Sequence, residues 1–141
     1  MIVYLDTSAL MKLVVEERGS DAVDALVATT EYAVSSVIAY AECRGAIARG
    51  SEAGRVDGAA AVRSLERLWG GVQTLDVDER LSAWAGALAG RHLLRGMAAL
   101  HLATALEIAT PELPMAFATF DRSLARAARA ERLSIPFEAD A

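Results

Sequence analysis

The sequence of 141 residues is poor in several features that would assign it to a common class of protein. Cys43 is the only cysteine, which excludes an intramolecular disulfide and the paired cysteines of a zinc-binding motif. No apolar run approaches the roughly 18 residues of a membrane span. The apolar run from Met1 to Leu5 is too short for a secretory signal and has no basic segment before it. These absences predict a cytoplasmic protein with no membrane association.

Basic residues are also few, and Lys12 is the only lysine among the 14 of them. The 19 acidic residues outnumber the basic ones and give a net charge of −5. This balance argues against a protein that simply coats nucleic acid. It does not exclude a nuclease whose acidic pocket is neutralised by a metal ion. Hydrophobic residues make up 54% of the chain, enough for a folded domain with a substantial core.

Short apolar segments alternate with segments of helical periodicity along the whole chain. This alternation favours an α/β fold in one domain of residues 1–141, with a mostly parallel sheet of about five strands between two layers of helices. Pro136 restricts the last strand to an edge. The predicted strands are 1–5, 32–37, 72–77, 115–120 and 134–138, and the predicted helices are 6–17, 21–29, 37–50, 52–69, 78–94, 97–109 and 121–133.

Acidic residues directly follow two of the predicted strands. Asp6 comes after the first strand and Asp121 after the fourth. The carboxyl ends of parallel strands meet at one edge of a sheet, and ligands bind beyond that edge. Each aspartate is also a good helix N-cap, so a structural interpretation stands beside the functional one.

Glu42 lies inside a predicted helix, on a face of small and apolar residues. A carboxylate there costs free energy unless it is paired or bound to a metal ion. Arg49, further along the helix, is the structural alternative as its partner, and we favour a functional Glu42.

Convergence of Asp6, Glu42 and Asp121, with no histidine or cysteine cluster beside them, would favour a hard divalent cation, Mg²⁺ or Mn²⁺. Such an ion suits phosphodiester hydrolysis, because it polarises the phosphate and activates the attacking water. His101 could act as a general base. On an amphipathic helix we interpret it instead as a residue that supports the site.

Four segments carry or adjoin these residues and span nearly the whole chain: YLDTSALMKL, SSVIAYAECRGAIAR, LRGMAALHLATAL and FATFDRSLARAA. In this order they resemble the motifs of PIN-domain proteins, in particular the VapC toxins of bacterial VapBC toxin–antitoxin pairs. The resemblance implies a PIN-like α/β/α fold and an endoribonuclease that uses Mg²⁺ or Mn²⁺ to cleave a structured RNA such as tRNA or rRNA. It also implies a VapB-type antitoxin as partner and a homodimer.

The resemblance also assigns residues, position by position. It places metal ligands at position 6, position 98 and position 121, with a further catalytic acid at position 42. Polar residues that support this cluster match two more positions. In this sequence the catalytic set is Asp6, Glu42, Ala98 and Asp121, and the supporting pair is Ser8 and Thr119.

Ala98 is where the sequence departs from the family, because an acid is expected directly before Ala99-Leu100-His101. Two explanations compete. A native aspartate has been exchanged for alanine to disarm a toxic nuclease, or the domain is naturally degenerate and binds RNA or antitoxin without cleaving. The surrounding motif is intact, which favours the exchange. We therefore expect an active site with one ligand removed and an inactive chain.

Arginines recur at helical spacing after Asp121, and we predict that Arg122, Arg126 and Arg129, with Arg95, bind RNA. A solvated helix face is the alternative interpretation. Two other α/β families fit less well. Haloacid-dehalogenase-like phosphatases need a second aspartate where Ser8 stands, and receiver domains need a lysine late in the chain.

Overall fold

Isoleucine, valine and tyrosine, all good strand formers, dominate the first element of the computed structural model, which describes residues 1–137. Strands and helices alternate after it, as predicted from the hydrophobic pattern. The strands are β1 (Ile2–Leu5), β2 (Tyr32–Ser36), β3 (Gln73–Leu75) and β4 (Met115–Ala118). The helices are α1 (Thr7–Val14), α2 (Ser20–Ala28), α3 (Ala39–Glu52), α4 (Gly58–Trp69), α5 (Glu79–His92), α6 (Gly96–Ile108) and α7 (Arg122–Ala130).

The four strands form one sheet in the order β3-β2-β1-β4, and every neighbouring pair is parallel. Tyr4 at the centre pairs with Val34 of β2 and with Phe117 of β4. Because all strands run the same way, the segments that follow β1 and β4 leave the sheet at the same edge. The topology therefore brings Asp6 and Asp121 to one edge, and the predicted α/β fold is confirmed.

Helices cover both faces of the sheet, and alternate residues of β1 serve the two cores. Val3 and Leu5 pack with α1, α2, α3 and α4 on one face. Ile2 and Tyr4 pack with α5, α6 and α7 on the other. All four side chains are buried, so β1 is apolar throughout rather than alternating with polar residues.

Aspartate side chains fix where four of the helices begin. Each accepts a hydrogen bond from the backbone N–H three residues further on, which satisfies one of the free donors in the first turn. These caps are Asp6 for α1, Asp57 for α4, Asp78 for α5 and Asp121 for α7. The structural interpretation of Asp6 and Asp121 as N-caps is therefore confirmed, and it leaves one oxygen of each carboxylate outside the cap.

The prediction of a fifth strand at 134–138 is wrong for the part that the structure describes. Ser134 makes only an isolated parallel bridge with Ala116, and its carbonyl accepts the Phe117 N–H at 2.8 Å. Pro136 has no N–H with which to continue the ladder. Glu138, the end of the predicted strand, lies outside the described residues. The sheet as described has four strands rather than about five.

The prediction of a helix over 52–69 is wrong at its start. The preceding helix α3 extends to Glu52, and the chain then turns at Gly54, whose φ of +73° suits glycine. The next helix begins only at Gly58, after its cap. All helices are short, and none within residues 1–137 has the length and apolar character needed to cross a membrane.

Candidate active site

An open cleft of about 1070 Å³ lies at the carboxyl edge of the sheet. Residues of α1, α3, α5 and α6 and the start of α7 line it. All four positions predicted for the acids are among them: Asp6, Glu42, Ala98 and Asp121. The fold thus brings together residues that are far apart in the sequence.

Asp6 is the most firmly held side chain of the cleft, and only 4% of it is exposed. Its Oδ1 accepts hydrogen bonds from Ser8 Oγ at 2.7 Å and from the Ala9 N–H at 2.9 Å. Its Oδ2 accepts one from Thr119 Oγ1 at 2.5 Å. The two residues predicted to support the cluster therefore both contact Asp6 directly.

The same two hydroxyl groups join the start of α1 to the segment after β4. Ser8 Oγ accepts the Phe120 N–H at 2.8 Å, and Thr119 Oγ1 accepts the Asp121 N–H at 3.0 Å. Each hydroxyl thus accepts from the backbone and donates to Asp6. These hydrogen bonds hold Asp6 between the start of α1 and the segment after β4.

Burial raises the pKa of the Asp6 carboxyl, because charge is poorly solvated there. The nearby His101 and the hydrogen bonds from Thr119 and Ser8 lower it again, but the net pKa stays above the ordinary value. Ionised Asp6 therefore costs stability when no cation is present.

Glu42 is half-buried, and a series of hydrogen-bonded side chains connects it to the core. Its Oε1 accepts a hydrogen bond from Thr7 Oγ1 at 2.5 Å and lies 2.8 Å from His101 Nε2. The other ring nitrogen of His101, Nδ1, lies 2.7 Å from the Tyr4 hydroxyl. Tyr4 is fully buried and stacks on Phe117 with ring centroids 5.3 Å apart. The partner of Glu42 is therefore His101.

Burial raises the pKa of the Glu42 carboxyl, but the hydrogen bonds from His101 and Thr7 outweigh it and hold the pKa below its ordinary value. Glu42 is therefore an anion at neutral pH. Burial, together with the charges of Glu42 and Asp6, raises the pKa of the neighbouring Cys43 thiol to about 12. Cys43 is consequently a protonated core residue, which agrees with its assignment to no chemical role.

Two further positions of the cleft have fewer polar side-chain contacts. Asp121 is exposed, and its Oδ1 accepts the Leu124 N–H at 3.1 Å as the cap of α7. Ala98 is half-buried in the first turn of α6, a turn that contains no acidic residue. Position 98 therefore lines the same cleft as the carboxylates and contributes no polar side-chain atom to it.

Residues 3–130 match the family model described as the PIN domain. The chain belongs to the PIN-domain family. Two relatives from Mycobacterium tuberculosis, ribonuclease VapC45 and ribonuclease VapC49, are each 37% identical over 132 residues, covering 92% of this chain and 90% of theirs. A third, ribonuclease VapC46, is 39% identical over 103 residues, 73% of each chain.

Solved structures share the fold of this PIN domain. A protein from Pyrobaculum aerophilum superposes with a TM-score of 0.73 at 20% identity, covering 99% of this chain and 85% of the other. VapBC2 from Rickettsia felis, bound to a DNA fragment from its promoter, gives 0.66 at 14% identity, covering 96% and 97%. A toxin–antitoxin complex from Klebsiella pneumoniae gives 0.64 at 18%, covering 98% and 99%. These likenesses confirm the predicted PIN-like α/β fold.

The sequence assigned no role to two side chains of this site and only a general role to a third. Thr7 and Tyr4 were not assigned, and His101 was expected only to support the site. Thr7 follows Asp6 directly and Tyr4 precedes it by two, so proximity to the first acid was the available signal. The contact of His101 with both Tyr4 and Glu42 joins three separate elements, which periodicity does not reveal.

The predicted RNA-binding arginines fall into two groups in the PIN domain. Arg95 precedes α6, is exposed and lines the cleft. The others are exposed on α7, outside the cleft lining: Arg122, Arg126 and Arg129. The helix therefore presents its arginines to solvent beside the cleft, starting next to Asp121.

The ligands available in the cleft suit a hard divalent cation in kind. The ionisable groups of Asp6, Glu42 and Asp121 all offer oxygen, the donor that Mg²⁺ and Mn²⁺ prefer. In residues 1–137, however, no three His, Cys, Asp or Glu side chains lie close enough together to hold a metal ion. An acid at position 98 would add a fourth carboxylate to this cleft.

Proposed function

We propose that this PIN domain is a VapC-type toxin, a metal-dependent endoribonuclease whose active form carries an aspartate at position 98. The observation that carries the proposal is the convergence of Asp6, Glu42, position 98 and Asp121 on one cleft. The ribonuclease names of relatives that are 37% identical along most of the chain support it.

Each acid has a part in this reaction that follows from its surroundings. Asp6, oriented by three hydrogen bonds, presents its carboxylate without reorganisation and would hold the cation together with Asp121 and the acid at position 98. A bound Mg²⁺ or Mn²⁺ would supply polarisation of the scissile phosphate and a lower pKa for the attacking water. Glu42, an anion with Oε1 already engaged, accepts the proton of that water at Oε2.

Water rather than the ribose hydroxyl is the nucleophile of this mechanism. The products therefore carry 5′-phosphate and 3′-hydroxyl ends. Ala98 removes one ligand and part of the charge that attracts the cation. The chain as it stands therefore binds metal weakly and cleaves poorly or not at all.

A structured RNA, tRNA or rRNA, is the proposed substrate. Arg95 on the cleft wall and the exposed arginines of α7 supply positive charge beside an acidic cleft, where they contact the phosphate backbone. A VapB-type antitoxin is the proposed partner, supported by the toxin–antitoxin complexes that share the fold. The toxin acts as a homodimer in the cytoplasm.

A second candidate function is a non-catalytic module that binds RNA or antitoxin. Ala98 on the cleft wall favours it, as does the lack of a three-ligand metal group in the described part of the chain. The two functions differ in what an acid at position 98 would restore.

The deciding experiment compares the Ala98 chain with Ala98→Asp and with Ala98→Asn, since asparagine has the shape of aspartate without its charge. Each purified protein is incubated with total tRNA and rRNA in Mg²⁺ or Mn²⁺, and in EDTA. We expect Ala98→Asp to cleave at least about 100-fold faster than the other two, and only with metal. Ala98→Asp that is inactive on every RNA and harmless in cells supports the binding module. Cleavage in excess EDTA or 2′,3′-cyclic ends contradicts the metal mechanism.

A further inference from the structure

A hydrogen-bonded series of three polar side chains lies on the buried side of the cleft. It begins at Tyr4 in the centre of the sheet, passes through His101 on α6 and ends at Glu42 on α3. Tyr4 is 0% exposed and His101 3% exposed, so both side chains must find their hydrogen-bond partners within the protein. Their arrangement therefore constrains where the protons lie.

The direction of each hydrogen bond follows from the Glu42 end. An ionised carboxylate only accepts, so the two groups at Oε1 must both donate to it. Thr7 donates its O–H, and His101 donates Nε2–H from 2.8 Å. A lone pair on Nε2 at that distance would instead face the negative oxygen.

The Tyr4 end completes this assignment. A neutral imidazole with its proton on Nε2 leaves Nδ1 as an acceptor. The Tyr4 hydroxyl, 2.7 Å away, is the only group in the described chain recorded at hydrogen-bond distance from Nδ1, and it donates there. The stack of Tyr4 on Phe117 and its burial in the sheet hold this hydroxyl in place.

The consequence for Glu42 is that its two oxygens differ. Oε1 is occupied by Thr7 and His101, whereas no hydrogen bond among the described residues reaches Oε2. Glu42 lines the cleft, so Oε2 is the oxygen left for the reaction.

We propose that Tyr4 and His101 are positioning residues: Tyr4 fixes the Nε2–H tautomer of His101, and His101 in turn holds Glu42 with Oε2 presented to the cleft. The role of Oε2 as proton acceptor rests on the proposed function. The proton positions and the orientation of Glu42 do not.

The first test is nitrogen NMR of the full chain, without metal and at about pH 8.5, where imidazoles are ordinarily neutral. The two histidines are told apart by His92→Gln, since the chain contains no others. We expect His101 to show a protonated Nε2 and an unprotonated, hydrogen-bonded Nδ1. Tyr4→Phe, which keeps the ring, should shift the Nδ1 resonance because its donor is lost. Tyr40→Phe is the matched control, because it removes a tyrosine O–H of α3 that donates to Glu66 of α4 and does not contact His101. A protonated Nδ1, or an Nδ1 resonance that Tyr4→Phe leaves unmoved, overturns the proposal.

The second test measures RNA cleavage in the Ala98→Asp form. Tyr4→Phe should lower kcat about tenfold with KM unchanged, because the base is misplaced while RNA contacts remain. His101→Gln keeps an amide N–H for Glu42 and an amide oxygen that can accept from Tyr4, whereas His101→Leu keeps neither. We therefore expect His101→Gln to retain more activity than His101→Leu, and equal activity contradicts the positioning role. If Ala98→Asp itself is inactive, the proposed function fails, and the NMR test still decides the positions of the protons.

Discussion

Two groups of cleft residues differ in how their side chains are held. In the first, which we call the anchored flank, Asp6 and Glu42 receive hydrogen bonds from hydroxyl, ring and backbone donors. The second, which we call the open flank, consists of Ala98 and the exposed Leu93, Arg95, Met97 and Asp121. The anchored flank is oriented before any ligand arrives. The exposed side chains of the open flank would be shielded from solvent only by a bound ligand or partner.

Burial of an ionised carboxylate lowers the free energy of unfolding, and this loss arises at Asp6 on the anchored flank. Its carboxylates are removed from water, and the pKa of Asp6 is raised by burial as a result. Asp121, exposed on the open flank, keeps its solvent. The charge of Asp6 therefore opposes folding, whereas the hydrogen bonds to Glu42 lower the pKa of that carboxyl and favour its ionised form in the folded state.

The largest expected effect comes from adding charge to the open flank. At about 6 Å and an effective dielectric of about 20, two like charges repel by roughly 2–3 kcal/mol before screening and pKa shifts reduce it. In EDTA near neutral pH, Ala98→Asp should therefore be less stable than the Ala98 chain by about 2 kcal/mol. Thermal melts measure this difference, with Ala98→Asn as the uncharged control.

Millimolar Mg²⁺ or Mn²⁺ should narrow or reverse that order, because the complete acid cluster binds the cation more tightly and is stabilised by it. A more stable Ala98→Asp in EDTA would mean that position 98 does not face the acids. A charge at position 98 would then not interact with the carboxylates of the anchored flank.

Neutralising one aspartate on each flank gives the next largest effect. Asp6→Asn should stabilise the metal-free protein by about 1 kcal/mol at pH 7, since ionised Asp6 opposes folding. The folded pKa of Asp6 is raised, so the stability it contributes is full in acid and is lost as pH rises through that pKa. The gain from Asp6→Asn should accordingly vanish at low pH.

Asp121→Asn is the matched control for that prediction. Asparagine caps a helix as well as aspartate does, and position 121 is exposed, so we expect a change within about 0.5 kcal/mol. Denaturant unfolding at pH 4 and pH 7 measures both variants. Equal effects at the two positions would remove the distinction between the flanks.

A smaller effect is expected where the open flank continues into α7. Arg126→Glu should weaken RNA binding about threefold and lower the slope of log affinity against log salt by about 1, as for one lost phosphate contact. Arg63→Glu, an exposed arginine of α4 on the other face of the sheet, is the control. Binding isotherms at several salt concentrations measure both, and an unchanged slope for Arg126→Glu returns α7 to a solvated helix face.

The smallest effect concerns the rim of the open flank. Leu93 is 87% exposed and has a φ of +56°, a left-handed conformation that leucine adopts at a cost. Leu93→Asn should stabilise the fold by about 0.5 kcal/mol, because asparagine tolerates this conformation and no packing is lost. Met97→Asn, exposed but helical, should bring no gain. Thermal melts compare them, and equal shifts would mean that the conformation of Leu93 carries no strain.

The sequence predicts part of the anchored flank. It points to the open flank through Ala98, the position at which the family motif lacks its acid. Strand and helix periods place Asp6 and Asp121 at one edge, since parallel strands share a direction. The contacts of Ser8 and Thr119 with Asp6 were expected only through the family resemblance. The chain from Tyr4 through His101 to Glu42 was not predicted, because its register depends on how α3 and α6 dock on the sheet.

The predicted fifth strand shows the same limit for the fold. An apolar run with a proline can lie beside a sheet without joining its ladder, and Ser134 does so through a single bridge. Composition gives the propensity of such a segment, whereas the hydrogen bonds depend on the neighbour that it meets.

The strand order has a consequence for the chain during its synthesis. Because β1 lies between β2 and β4, both edges of β1 are paired only after residues 115–118 have been synthesised. Asp6 likewise receives Thr119, and the cleft receives Asp121, only once those residues have left the ribosome. A growing polypeptide therefore cannot assemble this cleft, or perform its chemistry, before residue 121 has emerged.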